Sequence, residues 1–434
     1  MLPLTTLDAW LEYIERLHPK TIDLTLERVR AVAARLALRP TCPVFIVGGT
    51  NGKGSTCALL DAILRAAGYR VGLHTSPHLL RFNERAVIDG APVDDDALMS
   101  HLATVESARG DTTLTYFEFT TLAILRLFQH ARLDAAVLEV GLGGRFDAVN
   151  MIDADCSIIT SIDLDHVEYL GPTRERIGFE KAHIYRANRP AICSDPQPPD
   201  SLNQVAAALG ADLWLFGRDF RYQSLPAERG LLQWRYVGRV QSRAGLPFPA
   251  LRGANQLLNA AGALAALEAL AERLPVSQQA VREGLTRVTL PARFQVLPGR
   301  PVVILDVAHN PHAAAVLAQN LDSQGFFPAT HAVFGMLRDK DVAGVVERLK
   351  NKIDFWHVGP TTGPRGLDDE AAAAIVRAGV GKIEESAAAG VSRYPTLAQA
   401  YAGARARAGA DDRIVVLGSF LTVADVLRAR ASGE

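Results

Sequence analysis

The chain has 434 residues, 48% hydrophobic and 21% charged, the make-up of a soluble protein of two or three domains at roughly 150 residues each. A net charge of -1 argues against general affinity for nucleic acid or an acidic membrane surface. Four cysteines, Cys42, Cys57, Cys156 and Cys193, none in a CxxC pair, argue against a disulfide framework or a zinc ribbon.

The first twenty residues carry acidic side chains where a secretory leader has an unbroken apolar run. No stretch approaches about 18 consecutive apolar residues, so a membrane span is not expected and the cytoplasm is the expected compartment. Leu7, Trp10, Leu11, Ile14 and Leu17 recur at helical spacing, and a second helix is expected within 24–38. Short apolar runs then alternate with helical patterns. Strands are expected at 44–47, 69–75, 135–140 and 156–162, with helices at 56–68 and 117–133 between them. Runs apolar on both faces suit strands covered on both sides, hence a mostly parallel sheet. Residues 212–250, rich in aromatic residues and Gly, read as a short antiparallel insert, and helical spacing returns at 255–274. A second alternating series places strands at 301–307, 331–337, 354–360 and 413–420, after a Pro- and Gly-rich boundary at 290–301.

Ligands of open parallel sheets bind beyond the carboxyl ends of the strands, so the residues after each strand matter most. After 44–47 comes "GGTNGKGST", 48–56. Its glycines let backbone amides approach phosphate oxygens, the following helix offers a positive N-terminus, and Lys53 supplies a point charge. Gly54 intervenes between Lys53 and Ser55, so the usual phosphate-loop spacing fails. A plain glycine-rich turn with a surface lysine is the competing reading. Ser76, after the second strand, suits a turn cap or a metal ligand. Glu139 ends an apolar strand, where a lone carboxylate is costly. A metal would remove that cost, and so would Arg145 or a backbone amide. Asp163, Asp165 and His166 follow the fourth strand. Lys181 reads locally as an exposed helix lysine. In the second series Asp306, His309 and Asn310 follow a strand, with Pro311 suited to a helix start capped by Asn310. Together these describe an ATP-dependent enzyme that works in a cleft between two α/β domains.

The ordered motifs "GTNGKGST", "TSPHLLRFNER", "TYFEFTTLAIL", "LEVGLGGRFDAVN", "LDHVEYLG", "EKAHI", "LPARFQV", "DVAHNPHAA", "GMLRDKD" and "LGSFLTVADVL" span nearly the whole chain. In them the sequence resembles the bifunctional bacterial dihydrofolate synthases/folylpolyglutamate synthases of the Mur ligase superfamily. The resemblance implies an α/β fold with a P-loop-type ATPase domain over 1–295 and a smaller Rossmann-like domain over 296–434. It also explains the shortened loop and implies that Thr50, Asn51, Gly52, Lys53, Gly54 and Ser55 bind ATP, joined by Asn259, Arg293 and Asp306.

Ser76, Glu139 and His166, rather than Ser55, match Mg²⁺ ligands. Lys181 matches a lysine that carries a CO₂-derived carbamate and helps hold a second Mg²⁺; a monovalent cation is a further expected ion. His309 and Ser419 match the glutamate and phosphate end. Thr21, Ile22 and Asp23, Thr115, Tyr116, Phe117 and Glu118, and Phe146, Asp147 and Ala148 match dihydropteroate contacts. His183 stands where the family has Gly, and Asp163 where it has a small residue.

The implied reaction joins L-glutamate to dihydropteroate and to tetrahydrofolate in a monomeric enzyme, with Lys53, Lys181 and His309 as the catalytic candidates. A muramyl-peptide or cyanophycin-type ligase is one alternative. "HPKTIDL" and "TYFEFT" favour folate, and little chain precedes residue 44 to build a nucleotide-sugar domain. A nucleotide-binding switch without ligase activity is the other.

Overall fold

A computed structural model describes residues 4–228, 231–253, 255–380 and 390–433. The chain divides into two compact units, Met1–Ala250 with Leu257–Val288, and Leu251–Gln256 with Thr289–Glu434.

The first unit is built on an eight-stranded sheet. Its strands are β1 (Val44–Gly48), β2 (Val71–His74), β3 (Ala86–Ile88), β4 (Ala91–Pro92), β5 (Ala135–Glu139), β6 (Cys156–Ile159), β7 (Pro190–Cys193) and β8 (Asp212–Leu215). The order is β4-β3-β2-β5-β1-β6-β7-β8. All neighbours run parallel except the β2-β3-β4 edge, where β2 meets β3 and β3 meets β4 antiparallel. β1 and β5 are buried along their whole length, as a sheet covered on both faces requires. The chain passes from β1 to β2 and β5 on one side and to β6 on the other. That reversal puts a crevice at the carboxyl end of β1.

The expected antiparallel insert is a three-stranded sheet of β9 (Arg221–Glu228), β10 (Leu231–Val237) and β11 (Ser242–Pro247). Glu268, on the helix Gln256–Ala269, ties it down by accepting from the Tyr236 hydroxyl at 2.7 Å and the Val240 amide at 2.7 Å. β8 belongs to the parallel sheet, so only the later part of 212–250 is antiparallel.

The second unit carries β12 (Gln295–Leu297), β13 (Val302–Leu305), β14 (Thr330–Phe334), β15 (Phe355–Val358), β16 (Gly390–Arg393) and β17 (Arg413–Leu417). The order is β12-β13-β17-β14-β15-β16, parallel except for β12. β12 lies inside the stretch read as boundary, and its three residues pair with β13 at the sheet edge, where flanking Pro and Gly are tolerated. Among the described residues no helix is long and apolar enough to cross a membrane.

Candidate active site

The loop after β1 is held on its underside and open at its helix end. Gly52 adopts φ +85°, a left-handed conformation that glycine takes without strain, and the helix Lys53–Ala66 starts from it with no side-chain cap. Amides at such an uncapped helix start suit an anion. The Thr50 amide donates to the Ser161 carbonyl at 2.7 Å, and the Thr160 hydroxyl donates to the Asn51 carbonyl at 2.6 Å. The Thr50 hydroxyl donates to the Asp163 carbonyl and accepts from its amide, at 3.1 and 3.0 Å. A Cβ on Gly52 would lie 2.6 Å from Oδ1 of Asn259, so Asn259 packs directly on the loop. Gly54 and Ser55 are buried in the first helical turn.

Two lysines converge on one carbonyl. Lys53 Nζ donates to the Gly49 carbonyl at 3.1 Å and to that of Thr50 at 3.2 Å. Lys181 Nζ donates to the same Gly49 carbonyl at 3.0 Å. Lys181 is 4% exposed, which corrects its reading as a surface lysine. Burial, and next the charge of Lys53, pull its pKa down to about 7 against the attraction of Asp165 and Asp147. The helix Arg174–Ala182 delivers it, and Gly144 lets that helix come close. A Cβ there would lie 2.8 and 2.9 Å from the carbonyls of Glu180 and Lys181. His183, with φ −72°, needs no glycine, and its ring sits edge-on to Phe179 at 4.5 Å.

β2 and β5 pair His74 with Leu138, so Ser76 and Glu139 lie at adjacent strand ends. The Ser76 amide donates to Glu139 Oε2 at 3.1 Å. Glu139 thus takes the backbone-amide option; Arg145 lies 3.9 Å from Glu180 instead. Ser76 caps no helix among the described residues. His166 has φ 51°, and its Nε2 is 3.9 Å from Asp165 Oδ1. Among the described residues no three His, Cys, Asp or Glu side chains form a metal cluster. The expected set holds only two such groups, Glu139 and His166, plus a hydroxyl. A buried carboxylate with a hydroxyl beside it suits an oxygen-seeking divalent ion that keeps water or phosphate oxygens in its shell.

The expected acceptor residues do structural work too. Thr115 and Glu118 form a capping box on the helix Tyr116–His130. Glu118 also receives Arg28 Nη2 at 3.0 Å, and Asp23 receives Arg28 Nη1 at 2.9 Å. Arg28, unmarked by any sequence motif, thereby joins the 21–23 and 115–118 segments. Burial raises the Asp23 carboxyl, but its His18 hydrogen bond and the Arg28 charge together hold it below the usual value. Thr21 is exposed and Ile22 half-buried beside it. The Phe117 ring stacks on His74 at 6.2 Å, and Tyr116 meets Phe82 edge-on. The Asp147 carboxylate accepts from the Leu142 amide at 2.8 Å and the Val149 amide at 3.0 Å; burial still raises its pKa to about 6. Arg145 lies over the Phe146 ring at 4.8 Å, and Ala148 is buried.

In the second unit Asp306 follows β13 and accepts from the Phe294 and Ala308 amides, both at 2.8 Å. Burial raises its pKa against the opposing charge of Arg293. Arg293 lies over the Phe420 ring at 4.9 Å. His309 Nδ1 is 2.8 Å from the Val307 carbonyl. Asn310 caps the helix Pro311–Asp322, as expected, and Ser419 caps Phe420–Ser432 from the end of neighbouring β17.

Residues 47–267 match the Mur ligase middle domain and residues 292–420 the Mur ligase glutamate ligase domain. The chain is 46% identical over 431 residues to the dihydrofolate synthase/folylpolyglutamate synthase of Escherichia coli K12, covering 98% of this chain and 97% of that one. The chain belongs to the dihydrofolate synthase/folylpolyglutamate synthase family of Mur ligases. Among solved members of this family, E. coli FolC in complex with DHPP and ADP superposes with a TM-score of 0.92 at 44% identity, over 99% of this chain and 98% of that one. A bifunctional folylpolyglutamate synthase/dihydrofolate synthase with Mn, AMPPNP and L-glutamate bound gives 0.89 at 42% identity, over 98% of each. Mycobacterium tuberculosis folylpolyglutamate synthase complexed with ADP and AMPPCP gives 0.84 at 30% identity, over 97% of this chain and 98% of that one.

Proposed function

We infer that this protein is an ATP-dependent amide ligase that adds L-glutamate to dihydropteroate and to tetrahydrofolate. The observation that carries the reading is the shortened loop with Lys53 and Lys181 on one carbonyl, in a chain like the folate ligases over nearly its full length. A carboxylate accepts an amine poorly, so activation must come first. An acceptor carboxylate oxygen attacks the γ-phosphorus of ATP and ADP leaves, giving an acyl phosphate. The glutamate amine, having lost a proton, attacks the acyl carbon; the tetrahedral intermediate gives up a second nitrogen proton to solvent and expels phosphate, leaving the amide.

Lys53 leaves the Gly49 and Thr50 carbonyls for the transferring phosphoryl group and neutralises its charge. Thr50 to Ser55, Asn259, Arg293 and Asp306 are assigned to ATP. Ser76, Glu139 and His166 are assigned to Mg²⁺, which when bound offsets phosphate charge. His309 and Ser419 are assigned to glutamate and phosphate, and Thr21–Asp23, Thr115–Glu118 and Phe146–Ala148 to the pterin acceptor. Lys181 is assigned a carbamate. A pKa of about 7 supports this, since only the neutral amine attacks CO₂, releasing one proton. The second Mg²⁺, the monovalent cation, the cytoplasmic location and the monomeric state belong to the same reading and rest on the resemblance. So does the division into domains at 295/296.

The test supplies ATP, Mg²⁺ and glutamate with either dihydropteroate or tetrahydrofolate and weighs the products. A gain of one glutamate on each is expected. Gain on neither ends the folate reading, and nucleotide binding without glutamate-dependent phosphate release would point to a switch.

A further inference from the structure

One partly buried cation in the first unit has no ion-pair partner among the described residues. Arg85, at the end of a short helical turn after β2, is partly buried. Its Nε donates to Nδ1 of His78 at 2.9 Å. Its guanidinium carbon lies 5.6 Å from the ring centres of both Phe82 and Tyr116. No carboxylate lies within ion-pair distance of it among the described residues. Burial pulls its pKa below the usual arginine value, with attraction from Tyr116 and Glu139 opposing.

An unpaired guanidinium in such a place is costly, and it is held rather than loose. His78 fixes the Nε edge, and the rings of Phe82 and Tyr116, themselves in edge-on contact, pack together against one side of the guanidinium. That leaves the Nη1 and Nη2 edge, a fork that matches the two oxygens of a carboxylate. Phe82 is buried and Tyr116 half-buried, so Tyr116 is the ring of the two that can meet an aromatic ligand. The Glu139 charge acts on Arg85 from the strand end where ATP and metal are assigned.

We propose that Arg85 is an acceptor-binding residue whose Nη edge grips a carboxylate of the pterin substrate, with His78 as the residue that orients it. This rests on the folate reading given above. Dihydropteroate has one carboxylate, on its benzoate ring; tetrahydrofolate has the two of its glutamate. The shared chemistry is an aryl-linked carboxylate.

The experiment measures acceptor KM, ATP KM and kcat for the full chain and for Arg85→Gln and Arg85→Lys, with each acceptor. Thermal midpoints show that each variant is folded. Arg85→Gln is expected to raise acceptor KM about ten- to a hundredfold, the loss of one charge-assisted carboxylate contact, with ATP KM unchanged. Arg85→Lys, which keeps the charge without the fork, is expected to fall between. An effect on dihydropteroate alone or on both acceptors assigns the benzoate-end or reacting carboxylate; an effect on tetrahydrofolate alone assigns its non-reacting carboxylate. A folded Arg85→Gln that takes both acceptors with unchanged KM overturns the proposal and leaves the ligase reading standing. If the unaltered chain itself ligates neither acceptor, it is that reading which has failed.

Discussion

The polar groups at the strand ends of the two units are held in opposite ways. In the first unit, Lys181 and Arg85 are charged groups withdrawn from water that hydrogen-bond to neutral groups, a backbone carbonyl and an imidazole, and Glu139 is a buried carboxylate beside them at the strand ends. In the second, Asp306, Asn310 and Ser419 are occupied by backbone amides and helix starts. The first arrangement stores electrostatic free energy that arriving ligands of opposite charge release. The second fixes positions. Phosphoryl chemistry fits the former, and the alignment of an incoming amine fits the latter.

The largest expected effect comes from removing the most heavily desolvated of these charges. Lys181→Met should lower ligation by more than about 100-fold, yet stabilise the fold in urea titrations. The sign follows from the pKa of the unmodified amine, so the titrations are run without added bicarbonate. The folded value, about 7, lies below the ordinary 10.5, so between these values the unfolded chain holds more protons. The native penalty is full below pH 7 and fades as pH rises to 10.5. The gain in Lys181→Met should therefore be largest at or below pH 7. A variant less stable than its parent there would break the contrast between the units.

Gly49→Ala should cost about 1–3 kcal/mol. Gly49 has φ +145°, and its added methyl would collide with the Thr160 hydroxyl. Nucleotide affinity should fall with stability, as read by chemical denaturation and ADP titration.

In the second unit, His331 Nδ1 and His357 Nε2 are 3.3 Å apart, and His357 Nδ1 lies 3.0 Å from the Tyr394 hydroxyl. Burial, then the charges of His331 and Arg407, lower the His357 pKa to about 4. As pH falls from 6.5 to 4 the unfolded chain takes up the proton first, so stability drops over that window. His74 acts with the same sign in the first unit. His357→Phe should therefore flatten part of the acid limb, measured as the difference between the two stability–pH curves.

The smallest effect is expected at the caps. Asn310→Ala and Ser419→Ala should each cost about 1 kcal/mol through a lost helix cap. A kinetic loss far beyond that, with stability changed by no more, would give these residues a direct part in the chemistry and narrow the contrast.

What the sequence disclosed followed from repetition and order. Apolar runs located β1, β2, β5 and β6, and the order of loop, lysine and helix pointed to the loop after β1 as the place to look for phosphate binding. What it hid depends on contacts between distant segments. Lys181 looks like a surface lysine because its helix is rich in charge, with Arg174, Glu175, Arg176 and Glu180; the close approach at Gly49 and Gly144 that accompanies its burial is not written in that helix. Arg28 joins Asp23, five residues before it, to Glu118, 90 residues after it, which no local pattern encodes. β12 was obscured because Pro and Gly flank it, and β3 and β4 because they are only three and two residues long.

The close approach at Gly144 has a consequence for how this enzyme can change over time. A methyl group at 144 would press on the carbonyls of Glu180 and Lys181 and tilt the helix that carries the lysine. A substitution there would act on the Lys181 amine without touching it. The two segments are therefore free to drift only together, and a loop grafted from a relative would need its matching helix grafted with it.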